Sequence, residues 1–307
     1  LRPRRLPPFG CGVSRAGFSD GVLLPETAIA YARNTSKLDF FVLTDHLERG
    51  TDATWMDTNE MSYRAHENGR FVVLPGLEWT KSFGHMNIFN PGKRVWPAGL
   101  EDFFKEAAAH NVIVQVNHAA SAKWNFNGLP YNETGDKVVK LFEVRRDEED
   151  EVFRRALANG WHVAPTGTDD SHSAEWGVRA WTGVLMPGLS KANLLDALRQ
   201  RRVYSTTDRN CRLRFELNGA KMGEVISAQQ ENVTITVQVE DPDAQDTLAR
   251  VEILADGSVL KTIEPRGPRV AETLTDLPAP GAHYYYVRVV QADRQKLWSA
   301  PIWVTKR

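Results

Sequence analysis

Between about residues 38 and 205, short and continuously apolar runs alternate with stretches of helical periodicity. The runs cover residues 40–43, 71–74, 112–116, 138–142, 161–164 and 182–186. Apolar runs of this length, without polar alternation, are expected of strands covered on both faces. Helices are expected over residues 25–35, 53–68, 100–110, 148–158 and 190–201. Pro25 suits a first helical turn. Gly160, after Asn159, suits the residue that stops a helix, because glycine accepts positive φ. Strands alternating with helices predict a parallel sheet or barrel.

After about residue 208 the pattern changes. Residues 234–240 alternate strictly between apolar and polar, as a half-buried strand must. Residues 251–254 lead into Asp256-Gly257, a hairpin turn pair, and 258–263 form the expected partner strand. Further strands are expected at 284–290 and 301–304, and no helix. The expected organisation is an α/β unit over 1–208, followed over 209–307 by an antiparallel, Ig-like β-sandwich of about seven strands. There is no internal repeat and no low-complexity tract.

Composition narrows the function. Lys and Arg number 38 against 39 Asp and Glu, a balance that argues against a nucleic-acid partner. No apolar run approaches the ~18 residues of a membrane span, so a soluble chain is expected. The opening Leu-Arg-Pro-Arg-Arg-Leu-Pro-Pro has neither an initiator Met nor the apolar stretch of a signal peptide, which leaves compartment open between cytoplasm and export. Two cysteines, Cys11 and Cys211, exclude a disulfide framework and a Cys-rich zinc module.

The eight histidines decide the chemistry. Four are expected where a strand gives way to a loop: His46 in Thr44-Asp45-His46, His85 in Gly84-His85-Met86-Asn87, His118 after Asn117, and His172 in Asp170-Ser171-His172. Carboxylates share such positions: Asp20, Glu78, Asp169 and Asp170. In a barrel of parallel strands the C-terminal strand ends converge on one face, so residues distant in sequence meet there. Imidazole and carboxylate together hold zinc, manganese or iron. Such an ion lowers the pKa of a bound water from about 15.7 toward ~7. Each residue alone has a plainer account: a surface histidine, turn chemistry for Asp20, or a helix cap for Asp45. Their coincidence on successive strand ends favours metal binding. His66, His110, His162 and His283 stay outside the set.

The ordered segments Gly17-Phe18-Ser19-Asp20-Gly21, Leu38 through His46, Pro75-Gly76-Leu77-Glu78, Gly84-His85, Asn117-His118, Phe142-Glu143-Val144 and Asp170-Ser171-His172 resemble the PHP (polymerase and histidinol phosphatase) superfamily of metal-dependent phosphoesterases. The trailing β-rich stretch, with Tyr285-Tyr286-Val287-Arg288 and Ser299-Ala300-Pro301-Ile302-Trp303-Val304, is similar to its CehA/McbA-type metallohydrolases. The resemblance covers roughly residues 9–307. It implies a distorted (β/α)7 barrel with two divalent ions, at most three. Glu78, His85 and His118 would hold one ion, and Asp20, His46 and His172 another. Asp170, with Glu78 as bridge, would belong to a third. Asp45 would orient ligands, and Glu143 is a further possible ligand; Asp45, Glu78 and Asp170 form the implied catalytic set.

One departure matters. Where the family opens on a strand bearing His-x-His, this chain reads Cys11-Gly12-Val13-Ser14. Positions 11 and 13 share a strand face. A Cys11 thiolate can bind zinc, whereas Val13 binds nothing. Either one ion is lost, or the Arg/Pro-rich opening is a misread or recombined start.

Arg145, Arg146 and Arg179 lie near expected strand ends and would suit a phosphate through their planar donor fork, although a solvated basic side chain is the plainer account of each. Trp79, Trp124, Trp176 and Trp181 flank the motifs and would wall a pocket or pack a core. The expected activity is metal-dependent hydrolysis of a small-molecule ester by metal-activated water, phosphoester by default, with carbamate or carboxylic ester as the variation. There is no Gly-x-Ser-x-Gly elbow of a serine hydrolase. The rival reading is a catalytically impaired barrel that serves in binding or assembly. Oligomeric state is not legible.

Overall fold

Apolar runs became strands and amphipathic runs became helices in the computed structural model of the chain, which describes residues 17–228 and 231–307, and the backbone alone of residues 9–11. In chain order come β1 (Phe9–Cys11), α1 (Pro25–Asn34), β2 (Phe40–His46), α2 (Asp52–Ala65), β3 (Val72–Lys81) and β4 (Gly84–Phe89). Then follow α3 (Leu100–Ala109), β5 (Ile113–Asn117), α4 (Glu133–Asp136), β6 (Val139–Glu143), α5 (Asp147–Ala158) and β7 (Ala164–Thr166). The first half ends with β8 (Trp181–Val184), α6 (Lys191–Arg199) and β9 (Val203–Thr206). All seven residues of β2 are buried, as a central strand with cover on both faces requires. Helix α2 starts at a capping box in which Thr51 and Thr54 satisfy each other's backbone N–H groups.

These strands form a mixed α/β layer with one departure from expectation. β1, β2 and β3 run parallel, and so do β5, β6 and β7. Between them β4 is antiparallel to both neighbours, joined to β3 by a tight turn rather than a helix. β8 is antiparallel to β1, and β9 to β8. A regular (β/α)7 repeat is therefore absent among the described residues. No backbone ladder joins β7 to β8 or β9 there, so the path is open. Its ends still meet: Thr182 Oγ1 donates to Gly167 O at 2.9 Å, and Ser205 Oγ donates to Val144 O. A Cβ at Gly167 would lie 2.2 Å from the Trp181 carbonyl oxygen, so only glycine permits this approach.

Ten strands follow: β10 (Arg212–Leu217), β11 (Ala220–Lys221), β12 (Val225–Ala228), β13 (Val233–Glu240), β14 (Leu248–Ala255), β15 (Ser258–Ile263), β16 (Arg269–Asp276), β17 (Gly281–Gln291), β18 (Lys296–Ser299) and β19 (Ile302–Lys306). The Asp256-Gly257 pair does join β14 to β15. β11, β10, β13 and β16 make a four-stranded antiparallel sheet. β12 lies parallel to β19, which corrects the all-antiparallel expectation. Through β18 against β9, the sheet of the first half continues into the second. One apolar cluster runs from Val42 and Leu74 through Val203 to Val237 and Val287. A buried ion pair adds to it: Arg288 of β17 meets Asp150 of α5 at 2.8 Å and Glu252 of β14 at 2.7 Å. Removing one partner of such a pair typically costs about 3–5 kcal/mol. No helix among the described residues is long and apolar enough to cross a membrane.

Candidate metal centre

The ladder registers place the histidines. His46 ends β2 and lies opposite Glu78 of β3. His85 faces Thr80 across the β3–β4 hairpin and Asn117 across β4–β5. His85 thus sits inside an antiparallel strand rather than at a strand–loop junction, which corrects the expectation for it. His118 follows β5 with φ of 32°, and Asp170 follows β7 with φ of 48°. Non-glycine residues in this region are uncommon, and surrounding structure must hold them there.

Two groups result. Glu78, His85 and His118 offer ligand atoms within 4.8 Å of one another, and so do Asp20, His46 and His172. In the first, His85 Nδ1 is 3.4 Å and His118 Nε2 3.7 Å from Glu78 Oε1. In the second, His46 Nε2 is 3.1 Å from Asp20 Oδ2, and His172 Nε2 is 3.7 Å from Asp20 Oδ1. His46 links the groups, because its Nδ1 lies 3.0 Å from Glu78 Oε2 and also meets Thr80 Oγ1. His172 Nδ1 meets the Asp170 carbonyl oxygen at 2.8 Å. That bond makes Nδ1 the protonated nitrogen and leaves the Nε2 lone pair toward Asp20, the tautomer that binds a cation.

The donor set fits a divalent ion. His85 Nδ1 is buried and has no hydrogen-bond partner among the described residues. Two ligands each ~2.1 Å from a tetrahedral zinc stand about 3.4 Å apart, which is the His85–Glu78 spacing. Outer contacts hold the ligands in place. Asn117 Nδ2 donates to Glu78 Oε1 at 2.9 Å, and the His118 N–H donates to Glu143 Oε2 at 3.2 Å. Ser19 Oγ donates to Asp45 Oδ1 at 2.7 Å, which ties the turn bearing Asp20 to β2. Burial, with the charges of Glu149 and Asp170, pushes the Glu143 carboxyl up despite Arg145 beside it. For His118, burial favours the neutral ring but is outweighed by Glu78, Glu143 and Asp170, so its pKa rises.

Five of these six residues, all but the fully buried Glu78, line one open pocket of about 590 Å³, together with Asp170, Arg145 and Trp124. Asp170 belongs to neither three-residue group. Asp45 is buried on β2, close to the ligands rather than among them. Glu143 is fully buried and paired with Arg145. The donors of Arg145 are already engaged by Glu143, Glu149 and the carbonyls of Thr168 and Asp169, which makes it a clamp on these loops. Arg179 does not line the pocket; its side chain is exposed and its backbone N–H donates to Asp169. Asp169 is occupied with three such backbone donors, from Val178, Arg179 and Ala180. Of the four tryptophans only Trp124 lines the pocket, its ring 5.0 Å from that of His85; Trp79, Trp176 and Trp181 are buried in the core. The Cys11 side chain and Val13 lie outside the described residues. Sequence reasoning missed Thr80, which is paired with His85 only through the hairpin register, and Arg49, 3.6 Å from Asp20, whose sole signal is its place three residues after His46.

No protein-family profile matches the chain. Uncharacterized proteins of Chlamydia trachomatis serovar D and Chlamydia muridarum are 25% and 24% identical to it over 341 aligned positions, 91% of this chain and 54% of each relative. The chain thus spans about half the length of the curated relatives it matches. Among solved structures, a Bacteroides vulgatus two-domain protein containing a predicted PHP-like metal-dependent phosphoesterase superposes with a TM-score of 0.52 at 17% identity, over 96% of this chain and 94% of that one. At that identity the likeness is one of fold.

Proposed function

We propose that the chain is a metal-dependent hydrolase of small-molecule ester bonds, with a phosphoester as the default substrate. One observation carries this reading: two His/carboxylate groups meet at one pocket, which five of their six residues line, and are linked through the two nitrogens of His46. Glu78, His85 and His118 would hold one divalent ion, and Asp20, His46 and His172 a second. Zinc, manganese and iron all suit the donor set. Bound there, such ions supply a nucleophilic water at neutral pH and stabilise charge that develops on an ester.

The chain's own residues do the rest. Thr80 and Glu78 fix the orientation of His46, and the Asp170 carbonyl fixes His172. Asp45, through Ser19, holds the Asp20 turn. Arg49, half-exposed at the pocket, would meet a phosphate oxygen, and Trp124 would cover the leaving group. Residues 1–208 would form the hydrolase unit, a distorted PHP-type barrel, and 209–307 a β-sandwich beside it. The likeness to the Bacteroides vulgatus fold supports this reading.

Protein purified without chelator should contain at least two equivalents of zinc, manganese or iron, and should turn over p-nitrophenyl phosphate or an aryl carbamate. Zero to one equivalent with no turnover would favour an impaired barrel, to which the Cys11 and Val13 positions also point.

A further inference from the structure

The face of β3, β4 and β5 that carries Glu78 and His85 also carries three side-chain amides. Glu78 stands opposite Asn87 of β4, and Asn87 opposite Gln115 of β5. Asn117 lies two residues beyond Gln115 on the same strand and so on the same face. All three amides are 0% exposed. Their hydrogen bonds form one chain that ends on Glu78. Thr166 Oγ1 donates to Gln115 Oε1 at 2.9 Å. Gln115 Nε2 and Asn87 Nδ2 each donate to Asn117 Oδ1 at 3.0 Å, and Asn117 Nδ2 donates to Glu78 Oε1 at 2.9 Å.

The carboxylate sets the direction of this chain. The two ends of an amide are alike in shape, so what each end meets decides how it points. An ionised carboxylate only accepts, so Asn117 turns Nδ2 toward Glu78 and leaves Oδ1 to the two donors behind it. A second observation concerns Asn87. Its Nδ2 serves Asn117, yet its own Oδ1 is buried with no hydrogen-bond partner among the described residues. Such an oxygen destabilises the fold, and an apolar side chain of the same shape would avoid that cost. What the amide at position 87 supplies is a second donor to Asn117.

Resting on the metal centre proposed above, we propose that Asn87, Gln115 and Asn117 are positioning residues that hold the plane of the Glu78 carboxylate. Held so, Glu78 turns one oxygen to each group: His85 Nδ1 and His118 Nε2 lie 3.4 and 3.7 Å from Oε1, and His46 Nδ1 lies 3.0 Å from Oε2. Asn117 sets the carboxylate, and Asn87 and Gln115 set Asn117 redundantly, because either donor alone still occupies its Oδ1. Each can be removed without stranding a buried donor. Without Gln115, the Thr166 hydroxyl keeps the Phe142 carbonyl as acceptor at 3.2 Å.

The test uses full-length protein carrying His172→Ala, which confines zinc to the Glu78 group. Chelator-treated protein is titrated with Zn²⁺ against a chromophoric competitor, and the melting temperature of the metal-free form is read in parallel. Asn87→Leu or Gln115→Met alone should weaken zinc binding less than about threefold, and the two together about tenfold or more, with the metal-free melting temperature held. A purely structural role would do the reverse, lowering the melting temperature and sparing the affinity. If the double variant does not fold, Asn117→Leu is added to it; apolar side chains of like shape then replace the whole amide set, and zinc should again weaken about tenfold or more. Affinity within about threefold of the parent in whichever of these variants folds would overturn the positioning role. A parent that binds no zinc would overturn the metal centre itself, and the positioning role with it.

Discussion

The two groups on the pocket wall are built in different ways. Glu78 and His85 lie on the β3–β4 hairpin and His118 follows β5, and all three are at least nine-tenths buried. Hydrogen-bond ladders fix their spacing before any ion arrives. Asp20, His46 and His172 come from a turn, a strand end and a loop, with side-chain exposures of 21%, 7% and 41%. Here spacing depends on outer contacts such as Ser19–Asp45 and His172–Asp170 O. A ladder-built group suits a tightly held ion that water reaches slowly. A loop-built group suits an ion that must admit water and substrate.

The strongest challenge to this contrast is Glu78→Gln, since Glu78 borders both groups. Activity should fall at least ~10³-fold. The melting temperature of metal-free protein should hold or rise, because a fully buried carboxylate is neutralised while its carbonyl can still accept from Asn117. A lowered melting temperature in the metal-free state would mean that Glu78 serves the fold. Next come His85→Ala and His172→Ala, each expected to remove one equivalent of metal and about 100-fold or more in rate. Timed dialysis against a chelator separates them: wild-type protein should lose the ion of the Asp20 group first, and His172→Ala should abolish only this fast phase. Simultaneous loss of both ions would erase the distinction. Smaller again is Thr80→Val, which frees His46 Nδ1 from its hydroxyl partner. Metal affinity should drop about 10–100-fold at the Asp20 group, while the slow phase stays as in wild type.

Much of this arrangement was legible in the chain. His46, His118 and His172 follow apolar runs that became strands ending on one side, and both three-residue groups were anticipated from the ordered motifs. His85 does stand in the group expected of it, but within a strand rather than at the start of a loop. His85-Met86-Asn87-Ile88 alternates polar and apolar residues, a strand signal only four residues long and easily passed over. Thr80 stayed hidden because its place beside His46 exists only once β2 and β3 are paired. For Arg179 the plainer account holds, a solvated basic side chain away from the pocket, because nearness to a strand end does not say which way a loop turns.

The most direct test is anomalous diffraction from crystals grown without chelator, with data collected on both sides of the zinc and manganese edges. Two peaks are predicted, one enclosed by Glu78, His85 and His118 and the other by Asp20, His46 and His172. Crystals soaked in either metal that show no peak at both places would contradict the account.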